Sequence, residues 1–134
     1  MSDLVRVAVD AMGGDYAPVE PVKGTVEAVN ADERVKVQLV GQVDVIEKEL
    51  QKYTYPKERV EIVPATEIIE TGEPPVNAIR HKKDSSIVVG MKKVRYGEAD
   101  AFVSSGSTGA VLVGGQTIVG RIKGVERPPL APLI

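Results

Sequence analysis

Ala101-Phe102-Val103-Ser104-Ser105-Gly106-Ser107-Thr108-Gly109-Ala110, within the segment from Asp100 to Ile122, decides the fold. A short apolar run meets a tight glycine and serine turn, and an apolar segment continues from Ala110 to Ile122. This order predicts a strand, a turn and a buried helix. At such a junction the first N–H groups of the helix lack intrahelical partners, and the macrodipole adds roughly half a positive charge. Small hydroxyl residues and glycines let an anion approach that backbone, so a bound phosphate or carboxylate is one reading of the turn. The other is a turn whose serines cap the helix. The turn has no lysine, unlike the loop of a nucleotide triphosphatase, and lacks the spacing of a dinucleotide fingerprint. Gly114 and Gly115 each cost about 1 kcal/mol against alanine inside a helix, which predicts a neighbour packed very close.

Outward from that stretch, strands and helices alternate. Leu4 to Val9 is nearly all apolar and β-branched, as in a buried parallel strand. It runs into Asp10-Ala11-Met12-Gly13-Gly14-Asp15, and Pro18 suits the first turn of a following helix. Val19, Val22, Val26 and Val29 recur at helical spacing up to about Asn30. Val35 to Gly41 is a second strand. Asp44 and Glu47 are a capping pair for a helix carrying Val45, Ile46, Leu50 and Tyr53. Val60 to Val63 is a third strand. An irregular stretch, Pro64 to Pro75, precedes a short basic helix over Val76 to Lys83. Asp84 or Ser85 caps the next helix, in which Ile87, Val88, Met91, Val94 and Arg95 share a side and which Gly97 stops. The alternation predicts an α/β fold: a parallel sheet with helices on both faces.

Composition narrows the function classes. The 134 residues suit one domain. The net charge of −2 gives no field for nucleic acid, and aromatics at 4% give no stacking platform. The absence of cysteine excludes disulfides, iron–sulfur ligation and a thiol nucleophile. A single histidine argues against a zinc site. No apolar run reaches the length of a membrane span, and the first residues lack the pattern of a signal peptide. A cytoplasmic protein is expected.

The candidate residues fall in three places. The turns Asp10 to Asp15 and Ser104 to Gly109 both follow strands, so both open on the carboxyl edge of the sheet, where ligands of such folds bind. Asp10 and Asp15 are candidates for a base, a metal ligand or a loop organiser. The structural alternative has Asp10 fixing its turn and Asp15 capping the next helix. Two carboxylates are too few for a metal site, so none is expected. The third place is Arg80-His81-Lys82-Lys83, either a solvated helix end complementing the dipole or a contact for an acidic partner. His81 sits among cations that disfavour its protonation, and it is not a candidate base.

Three of these stretches together resemble one family. Asp10-Ala11-Met12-Gly13-Gly14-Asp15 with Ala17-Pro18, Ala78-Ile79-Arg80 with Lys82-Lys83-Asp84-Ser85-Ser86, and Ser104-Ser105-Gly106-Ser107-Thr108-Gly109-Ala110 are similar to the bacterial phosphate acyltransferases of phospholipid synthesis. Arg127-Pro128 with Leu130-Ala131-Pro132 is similar too, although Pro129 stands where the family more often has a small residue. The likeness covers the chain but only the first part of the family's length, so residues 1–134 are expected to be the N-terminal part of a single domain. The resemblance implies a three-layer α/β/α sandwich with a mainly parallel sheet, of the isocitrate dehydrogenase and phosphotransacetylase kind. It implies transfer of a fatty acyl group from acyl carrier protein to inorganic phosphate, without a cofactor. It also implies a homodimer, cytoplasmic and peripherally associated with the membrane or a membrane acyltransferase.

On that reading Gly13, Gly14, Ser105, Gly106, Ser107, Thr108 and Gly109 hold phosphate. Asp10, Asp15 and Ser107 are the catalytic candidates, and Arg80, Lys82 and Lys83 contact the acidic carrier protein. Phosphate is already an ionised nucleophile, so the protein need only position it and relieve the charge that develops on the thioester. The chain alone is expected to be inactive, and its apolar helix from Ala110 to pack on another chain or leave an exposed apolar patch. The alternatives are an inactive anion-binding fragment and a nucleotide-linked oxidoreductase of related fold.

Overall fold

The computed structural model describes residues 4–120. It is an α/β fold with a four-stranded, all-parallel sheet: β1 (Val5–Asp10), β2 (Val35–Gly41), β3 (Val60–Pro64) and β4 (Ala101–Val103). The α-helices are α1 (Val19–Ala31), α2 (Val43–Leu50), α3 (Pro75–His81), α4 (Ser86–Arg95) and α5 (Thr108–Gly114). A π-helical turn, Gly115–Val119, continues α5. The strand order is β3-β2-β1-β4. The chain therefore builds outward from β1 to β3 and then returns to lay β4 on the opposite side of β1. This reversal is the topological switch point, beside which open parallel sheets form their ligand crevice.

Alternating residues divide the core between two faces. Val37, Leu39 and Val60 pack with Val22, Val26 and Val29 of α1 and with Ile46 and Leu50 of α2. On the other face Ala8, Val40 and Val63 form a second cluster with Val89, Val94 and Phe102. A third joins Met91 and Ile87 of α4 to Ala78 of α3 and Ala110 of α5. Leu39 and Val40, adjacent in β2 and both fully buried, show a strand covered on both faces. Arg59 ties the first layer together by donating to the carbonyls of Val29 (2.8 Å), Asp32 (3.0 Å) and Val35 (2.9 Å), which closes the C-terminal end of α1.

Several local expectations are corrected. Asp44 and Glu47 do not cap α2: Gln42 holds the N-cap position, and no side chain bonds to the exposed N–H groups. Tyr53 lies beyond that helix, although it still packs against the first cluster. Asp15 does not cap α1, whose N-cap is Pro18 with no side-chain bond. Val19, at the right spacing for the core, is 44% exposed because the stripe begins one turn later, at Val22. Arg95 is not on the buried side of α4; it turns out to donate to the Ile118 carbonyl at 2.9 Å. Ser85 does cap α4, accepting from the Val88 N–H at 3.2 Å.

The helix after the Ser104–Gly109 turn is less enclosed than its composition suggests. Ala110 and Gly114 are buried, whereas Leu112 and Val119 are each 39% exposed. Gly114 has the close neighbour its cost implies, since a Cβ there would collide with the Met91 sulfur, but among the described residues nothing lies within 4 Å of a Cβ on Gly115. The last part of that segment, together with Arg127-Pro128, Pro129 and Leu130-Ala131-Pro132, lies outside the described residues.

Candidate functional site

The register of β1 and β4 builds the site. Val9 pairs with Val103, so the next residues along, Asp10 and Ser104, stand side by side at the carboxyl ends of their strands. The Ser104 hydroxyl donates to Asp10 Oδ2 at 2.7 Å. The Ser86 hydroxyl, at the start of α4, donates to Asp10 Oδ1 at 2.5 Å. The Met12 N–H donates to the same oxygen at 3.0 Å and folds the loop back on its own strand. Asp10 is only 2% exposed, and these donors compensate a charge that burial would otherwise penalise heavily. One carboxylate thus clasps the β1 loop, the β4 loop and the head of α4.

Ser104 passes the constraint on. Its Oγ accepts from the Gly106 N–H at 3.0 Å, which sets the path of the second loop. The two loops then meet through their glycines. A Cβ on Gly13 would collide with the Asp10 carboxylate and lie 2.9 Å from the Gly106 nitrogen. Gly14 has φ +97° and a Cβ there would lie 3.1 Å from that of Ser105, so both positive φ and close approach require glycine. A Cβ on Gly106 would lie 3.3 Å from the Gly13 Cα. The expected juxtaposition of the loops is therefore present, and it is tight enough to exclude any side chain between them.

Each expected residue has a definite place. Ser107 is 4% exposed and caps α5, accepting from the Ala110 N–H at 3.2 Å. Thr108 and Gly109 form the first turn of α5, the position whose N–H groups have no intrahelical partner. Thr108 and Ser105 are exposed, and Gly109 packs closely on Pro75 of α3. Asp15 is exposed and lines a cavity beside the loops rather than a hydrogen-bonded turn. Lys82 is not free: it donates to Glu73 at 2.6 Å and to the Ile68 carbonyl at 2.7 Å, strapping the irregular β3–α3 connection. That contact holds the Glu73 carboxyl below the ordinary carboxylate range. Arg80, His81 and Lys83 are exposed on the same helix end. Among the described residues no group of three or more metal-ligating side chains forms a metal site, and no helix is long and apolar enough to cross a membrane.

Sequence reasoning found the glycine loops but missed Ser86 and Ser104 as the partners that hold Asp10. Their spacing from Asp10 is 76 and 94 residues, and no local pattern reports so distant a bond. The usable signal was the parallel alignment of two strands ending Val9-Asp10 and Val103-Ser104.

Comparison with known proteins adds a family to this geometry. The model of a family described as "Fatty acid synthesis protein" matches residues 5–134. The chain is 51% identical over 130 residues to a phosphate acyltransferase of Alkaliphilus oremlandii, covering 96% of this chain and 38% of that protein. It is 49% identical over 130 residues to a phosphate acyltransferase of Clostridium beijerinckii, covering 97% of this chain and 39% of the relative. A phosphate acyltransferase of Syntrophomonas wolfei is 48% identical over 130 residues, covering 97% of this chain and 41% of its own length. The chain thus spans about two-fifths of the length of the curated relatives it matches.

Proposed function

The chain belongs to the fatty acid synthesis protein family, and from that premise we propose that it forms the N-terminal part of an enzyme moving a fatty acyl group from acyl carrier protein to inorganic phosphate. The observation that carries the proposal is the Asp10–Ser104 clasp at the switch point, which fixes the Gly13–Gly14 and Ser105–Gly109 loops against each other. Phosphate sits against the start of α5, held by main-chain N–H groups of Thr108 and Gly109 and by the hydroxyls of Ser105 and Thr108. A phosphate oxygen attacks the thioester carbonyl carbon. The carbonyl oxygen takes up negative charge, and collapse of this intermediate expels the carrier's thiolate, which is then protonated. The products are acyl phosphate and free carrier protein. No activated side-chain nucleophile is required, so positioning and preorganised donors carry the catalysis.

The Asp10 carboxylate is enclosed by its donors and acts by holding the loops rather than by touching phosphate. Ser107 acts in the same way, through the helix cap. Asp15, at the open rim, is the carboxylate able to approach a substrate. Arg80 and Lys83 are the exposed cations suited to an acidic carrier protein, while Lys82 is committed to Glu73. The finer architecture we propose for the intact protein is a three-layer α/β/α sandwich of the isocitrate dehydrogenase and phosphotransacetylase kind. The intact enzyme acts as a cytoplasmic homodimer that meets the membrane peripherally. We expect residues 1–134 alone to bind the anion without turnover.

Thr108→Ala in the intact protein tests this reading. The side chain is exposed, so the fold survives, and the KM for phosphate should rise about tenfold, the worth of one hydrogen bond to a charged group. An unchanged phosphate KM would contradict the site. Charge reversal of Arg80 and Lys83 should raise the KM for the acyl carrier protein and leave that for phosphate alone.

A further inference from the structure

We propose that Ser86 is a positioning residue for phosphate, acting through Asp10 to hold the two loops of the cradle at their working distance. This rests on the acyltransferase reading and goes beyond it by giving α4 a part in the reaction. Ser85 and Ser86 are adjacent, and both are buried. Their hydroxyls do different things. Ser85 serves its own helix, accepting from the Val88 N–H at 3.2 Å. Ser86 serves another element, donating to Asp10 Oδ1 at 2.5 Å. The helix has its cap without Ser86, so that hydroxyl is free to act on the β1 loop.

Both loops are set against α4. Along its length the helix packs on the elements that flank the second loop. A Cβ on Gly90 would collide with the Phe102 ring of β4, and the Met91 sulfur lies against Gly114 of α5. Arg95 donates to the Ile118 carbonyl at 2.9 Å. At the head of the helix, Ser86 takes hold of Asp10 and so of the first loop. From there a line of hydrogen bonds runs into the cradle. The Ser104 hydroxyl donates to Asp10 Oδ2 at 2.7 Å, and the Gly106 N–H donates to Ser104 Oγ at 3.0 Å. Without the Ser86 hydroxyl, Oδ1 keeps, among the described residues, only the Met12 N–H as a donor. That N–H belongs to the same loop and cannot fix the loop against α4. The carboxylate can then turn, and Ser104 and Gly106 turn with it. A buried polar network adds little net stability over apolar groups of the same shape, but it specifies one arrangement. Position is therefore what this line of donors supplies.

The two neighbouring serines separate position from stability. In the intact protein Ser86→Ala should lower kcat/KM for phosphate by about tenfold, because small misplacements of a reacting group are costly. The KM for the acyl carrier protein should stay the same. Ser85→Ala should lower the unfolding temperature through the lost cap and leave both substrates' parameters unchanged. Added to Ser104→Ala, Ser86→Ala should bring little further loss, since both act through one carboxylate. Phosphate parameters unchanged in Ser86→Ala overturn the proposal. So do equal losses in the Ser85 and Ser86 variants, which would trace the effect to the seating of α4, and so does full additivity with Ser104→Ala. If Ser86→Ala does not fold, Ser86→Cys, close in size but a weak donor, is read in the same way. If the unsubstituted protein forms no acyl phosphate, it is the acyltransferase reading that fails. Calorimetric titration with inorganic phosphate then decides the role of Ser86 without turnover. Weaker binding to Ser86→Ala than to Ser85→Ala supports it, and equal affinity, or no binding to any of the three proteins, overturns it.

Discussion

The strands β1 and β4 present two unlike faces, one closed and one open. Toward α4, Ala8 and Asp10 of β1 face Phe102 and Ser104 of β4 and its loop, and every one of these groups has a partner or a tight neighbour. Toward α1, Val7, Val9 and Val103 lie side by side and line a cavity. Successive residues of the same few positions therefore serve opposite ends. The closed face fixes where the loops sit, and the open face leaves room beside them. A parallel sheet is normally covered on both sides, and among the described residues the α1 side of β4 is the one that is not.

This contrast breaks first at Asp10. Asp10→Ala leaves the Ser86 and Ser104 hydroxyls and the Met12 N–H without their charged acceptor, and it should cost about 4 kcal/mol, measured by urea unfolding of the intact protein. Next come the closed-face glycines. Gly13→Ala would drive a methyl into the Asp10 carboxylate and should cost about 3 kcal/mol. Gly90→Ala would drive one into the Phe102 ring and should cost about 2 kcal/mol. The open face reverses the sign: Gly24→Ala should stabilise by about 1 kcal/mol, because the new methyl meets open space and glycine is the poorer helix former. If Gly24→Ala and Gly90→Ala destabilised equally, the two faces would not differ as described.

The smallest effect is electrostatic. Asp84, which accepts from the Thr66 N–H at 3.0 Å and the Thr66 hydroxyl, has its carboxyl held below its ordinary value of 3.8 by those bonds. A carboxyl depressed in the folded state adds stability above its unfolded value, and that contribution is lost as pH falls through the folded one. Asp84→Asn should therefore remove this small contribution at neutral pH and flatten the acid side of the stability–pH curve, the two proteins converging below about pH 4.

Much of this contrast could be read from the chain itself, and the reason is periodicity. Val22, Val26 and Val29 report a helix face, and Val35–Gly41 reports a strand, because a two-sided core imposes those patterns directly. The meeting of the glycine loops was also legible, since parallel strands place all their carboxyl ends on one rim. The clasp was not. Ser86 looks like one more residue at a helix start, and only the register of β1 with β4 and the approach of α4 bring it to Asp10. Nor was the tie between Lys82 and Glu73 legible, because a basic run on a short helix looks solvated until the irregular loop folds under it. Asp44 was misread for the complementary reason: a capping pattern is local, and the N-cap of α2 falls two residues earlier, at Gln42, so that side chain lies inside the first turn.

The central claim is that phosphate is held where the two loops meet. Amide hydrogen exchange of the intact protein, with and without inorganic phosphate, tests it most directly. Exchange should slow in peptides spanning Asp10–Asp15 and Ser104–Ala110 and stay unchanged over β3 and α2. Protection confined to other segments, or none at saturating phosphate, would contradict it.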